Sequence, residues 1–308
     1  MQQSTKSQSG FVAGFGAAAA MQDAKAKQAQ FYPDLNYPNK KQFVVFPAYT
    51  CLVNFAQRQG CKRILEIGAG LSTAVWADYA GRTGAAVCSV DADHSRMRSY
   101  VRNTPHDAAV TRHVNLIEGV TIDAEEFLAF YAAGSQASYA GVAASALAEH
   151  LNLFQSASTS PRRRFLIGKA AGRWRWTARD LLSTATTLSL PRPLLDVFSS
   201  GRNFDHEIAF LREADAQGAG SVIDRRLQQD DPWDLIFFDS GELASMLEWT
   251  KLKDRIAVGG FAAFHDIFFP KSIKNIVPCA GLVADPDWEV VFCDNSTRQG
   301  LLIAKRLR

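Results

Sequence analysis

The most restrictive feature of this 308-residue sequence is the stretch from Arg63 to Gly81, RILEIGAGLSTAVWADYAG. The apolar run RILEIG leads into a glycine-rich turn, and residues 72–80 then show helical apolar spacing, with Ser72 or Thr73 expected as the N-cap. Glycines at such a turn let the backbone bend sharply and let a ligand approach, because no Cβ intervenes. The stretch therefore predicts a strand–turn–helix unit that holds a nucleotide or a nucleoside.

Alternating strand and helix signals continue on both sides of a long interruption. Strand-like runs follow at 85–91, 114–119, 232–240 and 255–266, and the chain closes with two more, WEVVFCD and GLLIAKRL. A helix pattern at 94–103 separates two of them. This alternation predicts a parallel sheet with helices on both faces.

The chain divides into four segments on this basis. Residues 1–40 are predicted to be a tail and lead-in, and the first 30 of them a mobile or loosely helical stretch. Residues 41–122 and 231–308 form the two halves of one α/β domain. Residues 123–230 are too long for a loop and are predicted to be a mainly helical insertion, which serves as a lid, a substrate-binding part or an oligomerisation element.

The glycine turn excludes two kinds of nucleotide site. A dinucleotide turn has the pattern G-x-G-x-x-G, but here Gly68 and Gly70 are followed by Thr73, so the third glycine is missing. The phosphate loop G-x-x-x-x-G-K-[ST] is absent as well. What remains is Glu66-x-Gly68-x-Gly70-x-Ser72 after a strand.

This E-x-G-x-G turn, followed by an acid (Asp91) at the end of the second strand, resembles class I S-adenosylmethionine-dependent methyltransferases. The runs DLIFFDS and RIAVGGFAAFHD are similar to the family's fourth and fifth strands. The resemblance implies a Rossmann-like, seven-stranded, mostly parallel sheet of order 3-2-1-4-5-7-6, with the insertion between strands 3 and 4. It also implies S-adenosyl-L-methionine as cofactor, held by Glu66, Gly68, Gly70, Ser72, Asp91 and Glu118.

The charges of these residues agree with that cofactor. Acids such as Glu66 and Asp91 would repel a pyrophosphate, but they suit ribose hydroxyls, an ammonium group and a sulfonium. Structural alternatives remain open for each acid. Glu66 is otherwise a strand-end charge, Asp91 a helix cap with Asp93 taking the ribose, and Glu118 a surface acid.

The ends of the fourth and fifth strands carry the candidate catalytic residues. Catechol-type O-methyltransferases hold a divalent cation with an aspartate and a polar pair at these positions, and Asp239 and Asp266 match them as predicted ligands of Mg²⁺. The run Asp239-Ser240-Gly241 departs from the D-G-x-H pattern of related enzymes. The alternative is a metal-free site in which His265 is the general base, and Asp239 and His265 are therefore the predicted catalytic residues.

A basic segment at 161–180 carries a net charge of +6, although the whole chain is only +3. It is interpreted either as a solvated helix face or as a contact for an anionic acceptor or a membrane surface; nucleic acid is the least favoured partner.

The five cysteines show no metal-binding spacing and are expected to be buried reduced thiols. Together with the absence of a membrane-spanning run, they predict a cytoplasmic protein.

The function predicted from these observations is S-adenosylmethionine-dependent O-methylation of a small-molecule or glycan-like acceptor, by a protein that is a candidate homo-oligomer. A non-catalytic protein that kept the fold and a nicotinamide-dependent dehydrogenase are the two alternatives.

Overall fold

The structure is a computed structural model. It describes residues 19–28, 30–32, 46–132, 201–216, 221–227, 232–241, 243–267, 275, 278–279, 282, 285–294 and 300–308.

Seven strands form one sheet of order β3-β2-β1-β4-β5-β7-β6. Their bounds are β1 Arg63–Ile67, β2 Ala86–Asp91, β3 Val114–Glu118, β4 Trp233–Phe238, β5 Ile256–His265, β6 Trp288–Asp294 and β7 Leu301–Arg306. The first five strands are parallel, whereas β7 pairs antiparallel with both β5 and β6. The predicted fold class and strand order are confirmed, and the parallel strands bring their carboxyl ends to one edge of the sheet.

The helices lie between the strands much as the alternation predicts. They are α1 Phe46–Gln59, α2 Leu71–Thr83, α3 Ser95–Val101, α4 Pro105–His113, α5 Ala124–Ala132, α6 Gly201–Ala216 and α7 Ala244–Leu252. The helix predicted at 94–103 is present as α3, but the sequence reasoning missed the second helix before β3, which is α4. Pro105 begins α4, because proline is favoured at the first helical position, and the side chain of Thr104 accepts a hydrogen bond from the backbone N–H of His106.

The cap of α2 also differs from the prediction. The N-cap is Gly70, and Ser72 and Thr73 both lie inside the first turn. The Thr73 hydroxyl still serves the helix start, since its Oγ1 accepts a hydrogen bond from the Gly70 N–H at 3.0 Å.

The two faces of the sheet bury different side chains because residues along a strand alternate in direction. From β1, Ile64 packs on the face covered by α1 and α2, whereas Leu65 and Ile67 pack on the other face with α7. Glu66 follows the alternation and therefore faces the same side as Ile64, towards α2.

The N-terminal stretch is helical at 19–28, and it is docked on the domain. Met21 and Ala24 are buried in the core on the α2 side, and the Tyr32 hydroxyl donates to Asp78 Oδ2 at 3.0 Å. Of the two alternatives predicted for the first 30 residues, a mobile stretch or a loosely helical one, the helical one applies to residues 19–28, which bury apolar surface in the core.

Both described ends of the insertion are helical and pack together. They are α5 and α6, whose apolar residues share a cluster with the residues after β3 and with α7: Val120, Ile122, Ala124, Phe127, Ile208, Leu211, Ala214, Leu243 and Leu247. The basic segment at 161–180 lies outside the described residues. The proposed division into four segments remains a prediction.

All five cysteines are buried free thiols, as predicted. In the part of the chain that the structure describes, no helix combines the length and the apolar character needed to cross a membrane.

Candidate functional site at the carboxyl edge of the sheet

A cavity of about 430 Å³ lies at the carboxyl ends of β1, β2, β3 and β4. This is the edge at which parallel α/β sheets bind their ligands, and the volume is in the range of small-molecule sites. The segments after these four strands line it together with α6 and α7. The sequence-predicted residues among the lining are Gly68, Asp91 and Asp239.

Gly68 is required by the packing of two neighbouring strand ends. Its φ is +94°, a value that favours glycine. A Cβ at this position would overlap the backbone carbonyl of Asp239, the residue that follows β4. Gly68 therefore lets the ends of β1 and β4 approach each other closely, in addition to leaving the cavity open.

Asp91 ends β2 with its carboxylate held by two backbone groups. Its Oδ2 accepts from the Ala69 N–H at 2.8 Å, and its Oδ1 accepts from the Asp93 N–H at 3.0 Å. Burial raises the pKa of this carboxyl, and the two backbone hydrogen bonds oppose that rise. Each oxygen keeps further acceptor capacity, which is the property required for binding a pair of hydroxyl groups.

The neighbouring acid Asp93, the alternative ribose ligand, also lines the cavity. Its carboxylate accepts from the backbone N–H and the hydroxyl of Ser95, at 2.7 Å and 2.5 Å. Asp93 thus serves the start of α3, and these bonds lower its pKa.

Glu66 lies beneath the glycine turn and is fully buried. Its Oε2 accepts from Thr73 Oγ1 at 2.7 Å and from Ser89 Oγ at 2.6 Å. Burial raises the pKa of Glu66 to about 7. The residue is not part of the cavity lining, so the structure places it as a support that links the turn, α2 and β2.

The remaining predicted cofactor residues are also placed away from the cavity wall. Gly70 is the N-cap of α2, and Ser72 is buried in the first turn of that helix, where its hydroxyl counters the rise in the pKa of Glu66. Glu118 pairs with Asp91 in the strand register, but its side chain is 74% exposed and its Oε2 lies 4.0 Å from His94 Nδ1. The roles predicted for these three residues stay predictions.

The ends of β4 and β5 bring Asp239, His265 and Asp266 together, as expected. Their candidate ligand atoms all lie within 4.8 Å of one another. His265 Nδ1 is 3.1 Å from Asp239 Oδ1 and 3.5 Å from Asp266 Oδ1. Because an ionised carboxylate only accepts, this geometry places the proton of the imidazole on Nδ1.

Tyr49 completes this cluster, and the sequence reasoning missed it. Its hydroxyl donates to Asp239 Oδ2 at 3.0 Å, and its ring centroid lies 5.0 Å from that of His265. Its only sequence signal was its place on an amphipathic helix, which is α1. Asn275 lies on the other side of His265 and donates to the backbone carbonyls of Phe238 and His265.

The cavity wall is acidic. Its charged residues are Asp91, Asp93, Glu207, Asp239 and Glu248, with Arg96 as the one base among the described lining residues. Glu248 is fully buried and accepts from the hydroxyls of Thr121 and Ser240. Such a wall attracts a cationic ligand and repels a polyanion, because the carboxylates face one another across a partly desolvated space.

Glu207 and Glu248, like the half-exposed Phe210 (49%), were not found from the sequence. Glu207 and Phe210 belong to α6, in the insertion. No local motif marks these residues, since they reach the cavity only through the packing of α6 and α7.

Comparison with known proteins gives distant structural matches only. No protein-family model matches the chain, and no curated protein does. The O-methyltransferase TomG from Streptomyces achromogenes, involved in tomaymycin synthesis and solved with S-adenosylmethionine, matches with 12% identity and a TM-score of 0.42, over 99% of this chain and 100% of that one. An O-methyltransferase from Bacillus cereus, solved with S-adenosylhomocysteine, matches with 12% identity and a TM-score of 0.38, over 94% of this chain and 90% of that one. Similarity at this level carries no conclusion about activity, which has to come from the residues of the site.

Proposed function

We propose that this protein transfers a methyl group from S-adenosyl-L-methionine to an oxygen of a small-molecule acceptor. The observation that carries the proposal is the acidic cavity at the carboxyl edge of the sheet, with Asp91 on its wall. A sulfonium nucleoside bears positive charge and no phosphate, so it matches a wall of carboxylates and a turn without a phosphate-binding pattern.

Different residues of the cavity wall bind the ribose and leave space for the ligand. Asp91, fixed by the N–H groups of Ala69 and Asp93, accepts hydrogen bonds from the ribose hydroxyls. The backbone at Gly68 and Ala69 lines the cavity next to Asp239 and provides the close approach to the ligand. S-adenosylmethionine supplies an electrophilic methyl group when bound, and methyl transfer requires mainly alignment of the acceptor oxygen and exclusion of water.

The cluster at Asp239 is the proposed place of proton removal from the acceptor hydroxyl. Asp239 lines the cavity, and His265 is 1% exposed and contacts that carboxylate. Because the Nδ1–H of His265 is donated to Asp239 Oδ1, the member of the pair that takes up the proton lost by the acceptor is Asp239, which lines the cavity, and His265 holds that carboxylate in position.

The same donors fit a divalent cation. Asp239 and Asp266 offer carboxylate oxygens, the ligands that Mg²⁺ prefers. One ring nitrogen of His265 and these oxygens all lie within 4.8 Å of one another. A cation held there would lower the pKa of a bound hydroxyl and assist its deprotonation. Metal use is therefore an alternative to the general-base role, and the two are separated by the sensitivity of the reaction to chelation.

Two other functions remain as candidates. A non-catalytic binding protein would share the cavity but lack turnover. A nicotinamide-dependent dehydrogenase is disfavoured, because five acids on the cavity wall oppose a pyrophosphate and the third glycine of the turn is missing. An anionic acceptor, a membrane contact through 161–180 and homo-oligomer formation remain predictions about residues that the structure does not describe.

The test is formation of S-adenosylhomocysteine from S-adenosylmethionine in the presence of a panel of phenols, catechols and sugar-like alcohols, with and without EDTA. We expect turnover with at least one acceptor. Asp239→Asn should reduce turnover by at least about 100-fold, the usual scale for removing an acid–base group. Binding without turnover on any acceptor would favour the non-catalytic alternative, and turnover untouched by both EDTA and Asp239→Asn would leave this cluster without a catalytic role.

A further inference from the structure

The loop after β4 is held by a carboxylate that comes from the insertion. Glu207 of α6 accepts two backbone hydrogen bonds. Its Oε2 accepts from the Leu243 N–H at 2.9 Å, and its Oε1 accepts from the Ala244 N–H at 2.8 Å. These groups are at the first turn of α7, where backbone N–H groups have no acceptor within the helix. A negative charge is also favoured there by the helix dipole.

Gly241 provides an independent sign of this contact. A Cβ on Gly241 would overlap Glu207 Oε1, so the carboxylate occupies the space that a side chain would fill. The φ of Gly241 is outside the left-handed region, so its backbone does not itself require glycine. A side chain at Gly241 would therefore act mainly by displacing the carboxylate of Glu207.

The position of Glu207 is set by the packing of its own helix. Ile208, Leu211 and Ala214 of α6 are buried in a cluster with residues after β3 and with Leu243 and Leu247 of α7. The same helix contributes Glu207, Phe210 and Leu211 to the cavity lining. The described helix α6 thus forms part of the cavity wall and is joined through Glu207 to the start of α7.

The wall that Glu207 holds includes residues proposed to act in the reaction. Asp239 and Ser240 immediately precede Gly241, and both line the cavity. Ser240 Oγ donates to Glu248, a buried residue of α7, so the orientation of the loop and of α7 are linked.

We propose that Glu207 is a positioning residue through which the insertion between β3 and β4 shapes the nucleoside cavity. Its carboxylate holds Leu243 and Ala244 against α6, next to Gly241, and thereby holds Asp239 and Ser240 at the cavity wall. This inference rests on the proposed function for the identity of the ligand, and on the described contacts for the role of Glu207.

A double-mutant cycle tests it. The affinity for S-adenosylhomocysteine is measured by isothermal titration for the wild type, Glu207→Ala, Gly241→Ala and the double variant, each shown to be folded by circular dichroism. We expect each single variant to weaken binding about tenfold, a usual size for coupling between neighbouring parts of a site. The double variant should be no weaker than either single one, because Gly241→Ala acts by displacing the carboxylate that Glu207→Ala has already removed.

Two further variants serve as controls for a loss of affinity that is caused only by a general loss of stability. Glu213→Ala changes an exposed glutamate of the same helix and should leave the affinity unchanged. Glu207→Gln keeps an acceptor oxygen but loses the charge, and it should fall between the wild type and Glu207→Ala. Unchanged affinity in Glu207→Ala and Gly241→Ala, or effects that multiply in the double variant, would overturn the inference.

Hydrogen exchange in the ligand-free protein separates this inference from the proposed function. The amides of Leu243 and Ala244 should lose protection in Glu207→Ala and in Gly241→Ala, but not in Glu213→Ala. If the wild type fails to bind S-adenosylhomocysteine, the proposed function fails, and loss of protection still supports the positioning role. Protection that is the same in all variants overturns the positioning role whatever the ligand is.

Discussion

The region beneath the glycine turn and the wall of the cavity each contain an acid from the end of a strand, and the two acids are held in opposite ways. Glu66 is fully buried, is bound by the hydroxyls of Thr73 and Ser89, and has a pKa raised to about 7. Asp91 lines the cavity and is bound by two backbone N–H groups.

The difference follows from strand geometry. Glu66 is one residue before the end of β1, and its side chain points to the face covered by α2, whereas Asp91 is the last residue of β2 and reaches the edge. Two acids of one sequence motif thus lie in different surroundings: Glu66 supports the turn, and Asp91 lines the cavity, where we propose that it binds the ligand.

The largest effect is expected where the two regions join, at Gly68. Gly68→Ala combines an unfavourable φ with overlap on the backbone of Asp239, and should lower the free energy of unfolding by about 3–5 kcal/mol. Gly84→Ala is the matched control, since Gly84 also has a positive φ but open space around it, and should cost only about 1 kcal/mol. Urea unfolding measures both, and equal losses would contradict the close approach of β1 and β4.

The contribution of Glu66, beneath the turn, to the free energy of unfolding should depend on pH. Since the pKa of Glu66 rises from 4.5 to about 7 on folding, the folded state binds this proton more tightly. The free energy of unfolding should therefore fall by about 2–3 kcal/mol as pH rises between these two values, and stay level above them.

Glu66→Gln should remove this part of the pH dependence, because glutamine mimics the neutral acid at all pH values. Glu118→Gln, at an exposed side chain on β3, should leave it in place. Unfolding curves over a pH series compare the three proteins. A difference between wild type and Glu66→Gln that does not change with pH would show that Glu66 has an ordinary pKa.

The cavity wall should control ligand affinity. Asp91→Ala should weaken binding of S-adenosylhomocysteine by about 1.5–3 kcal/mol, the cost of losing a charged acceptor. Glu66→Gln, in contrast, should change the affinity by less than about threefold, or about 0.7 kcal/mol. If the two variants weaken binding equally, the distinction between a supporting acid and a binding acid is wrong.

The smallest effect concerns Tyr49. Tyr49→Phe removes one hydrogen bond to Asp239 and should cost about 1 kcal/mol of stability. Tyr32→Phe removes a similar bond to Asp78, remote from the cavity, at a similar cost. Only the Tyr49 variant should also slow methyl transfer, and equal rates in both variants would place Tyr49 outside the catalytic cluster.

The sequence was sufficient for the sheet and for part of the site. Strand alternation predicted a parallel sheet, the resemblance to a known family implied the strand order, and the positions of two strand ends predicted that Asp239, His265 and Asp266 would meet. Glu66 was assigned to the ligand from its position in the motif alone. The direction of its side chain from β1, towards α2, was not taken into account. Tyr49 and Glu207 were missed because they reach the site from helices distant in sequence, through packing that no local pattern reveals.

Isothermal titration of the wild-type protein with S-adenosylhomocysteine, and in parallel with NAD, tests the central claim most directly. The acidic cavity and the phosphate-free turn predict one-to-one binding of S-adenosylhomocysteine and no binding of NAD at the same concentrations. Binding of NAD with equal or greater affinity, or the absence of any binding of S-adenosylhomocysteine, would contradict the claim that this cavity holds a phosphate-free nucleoside.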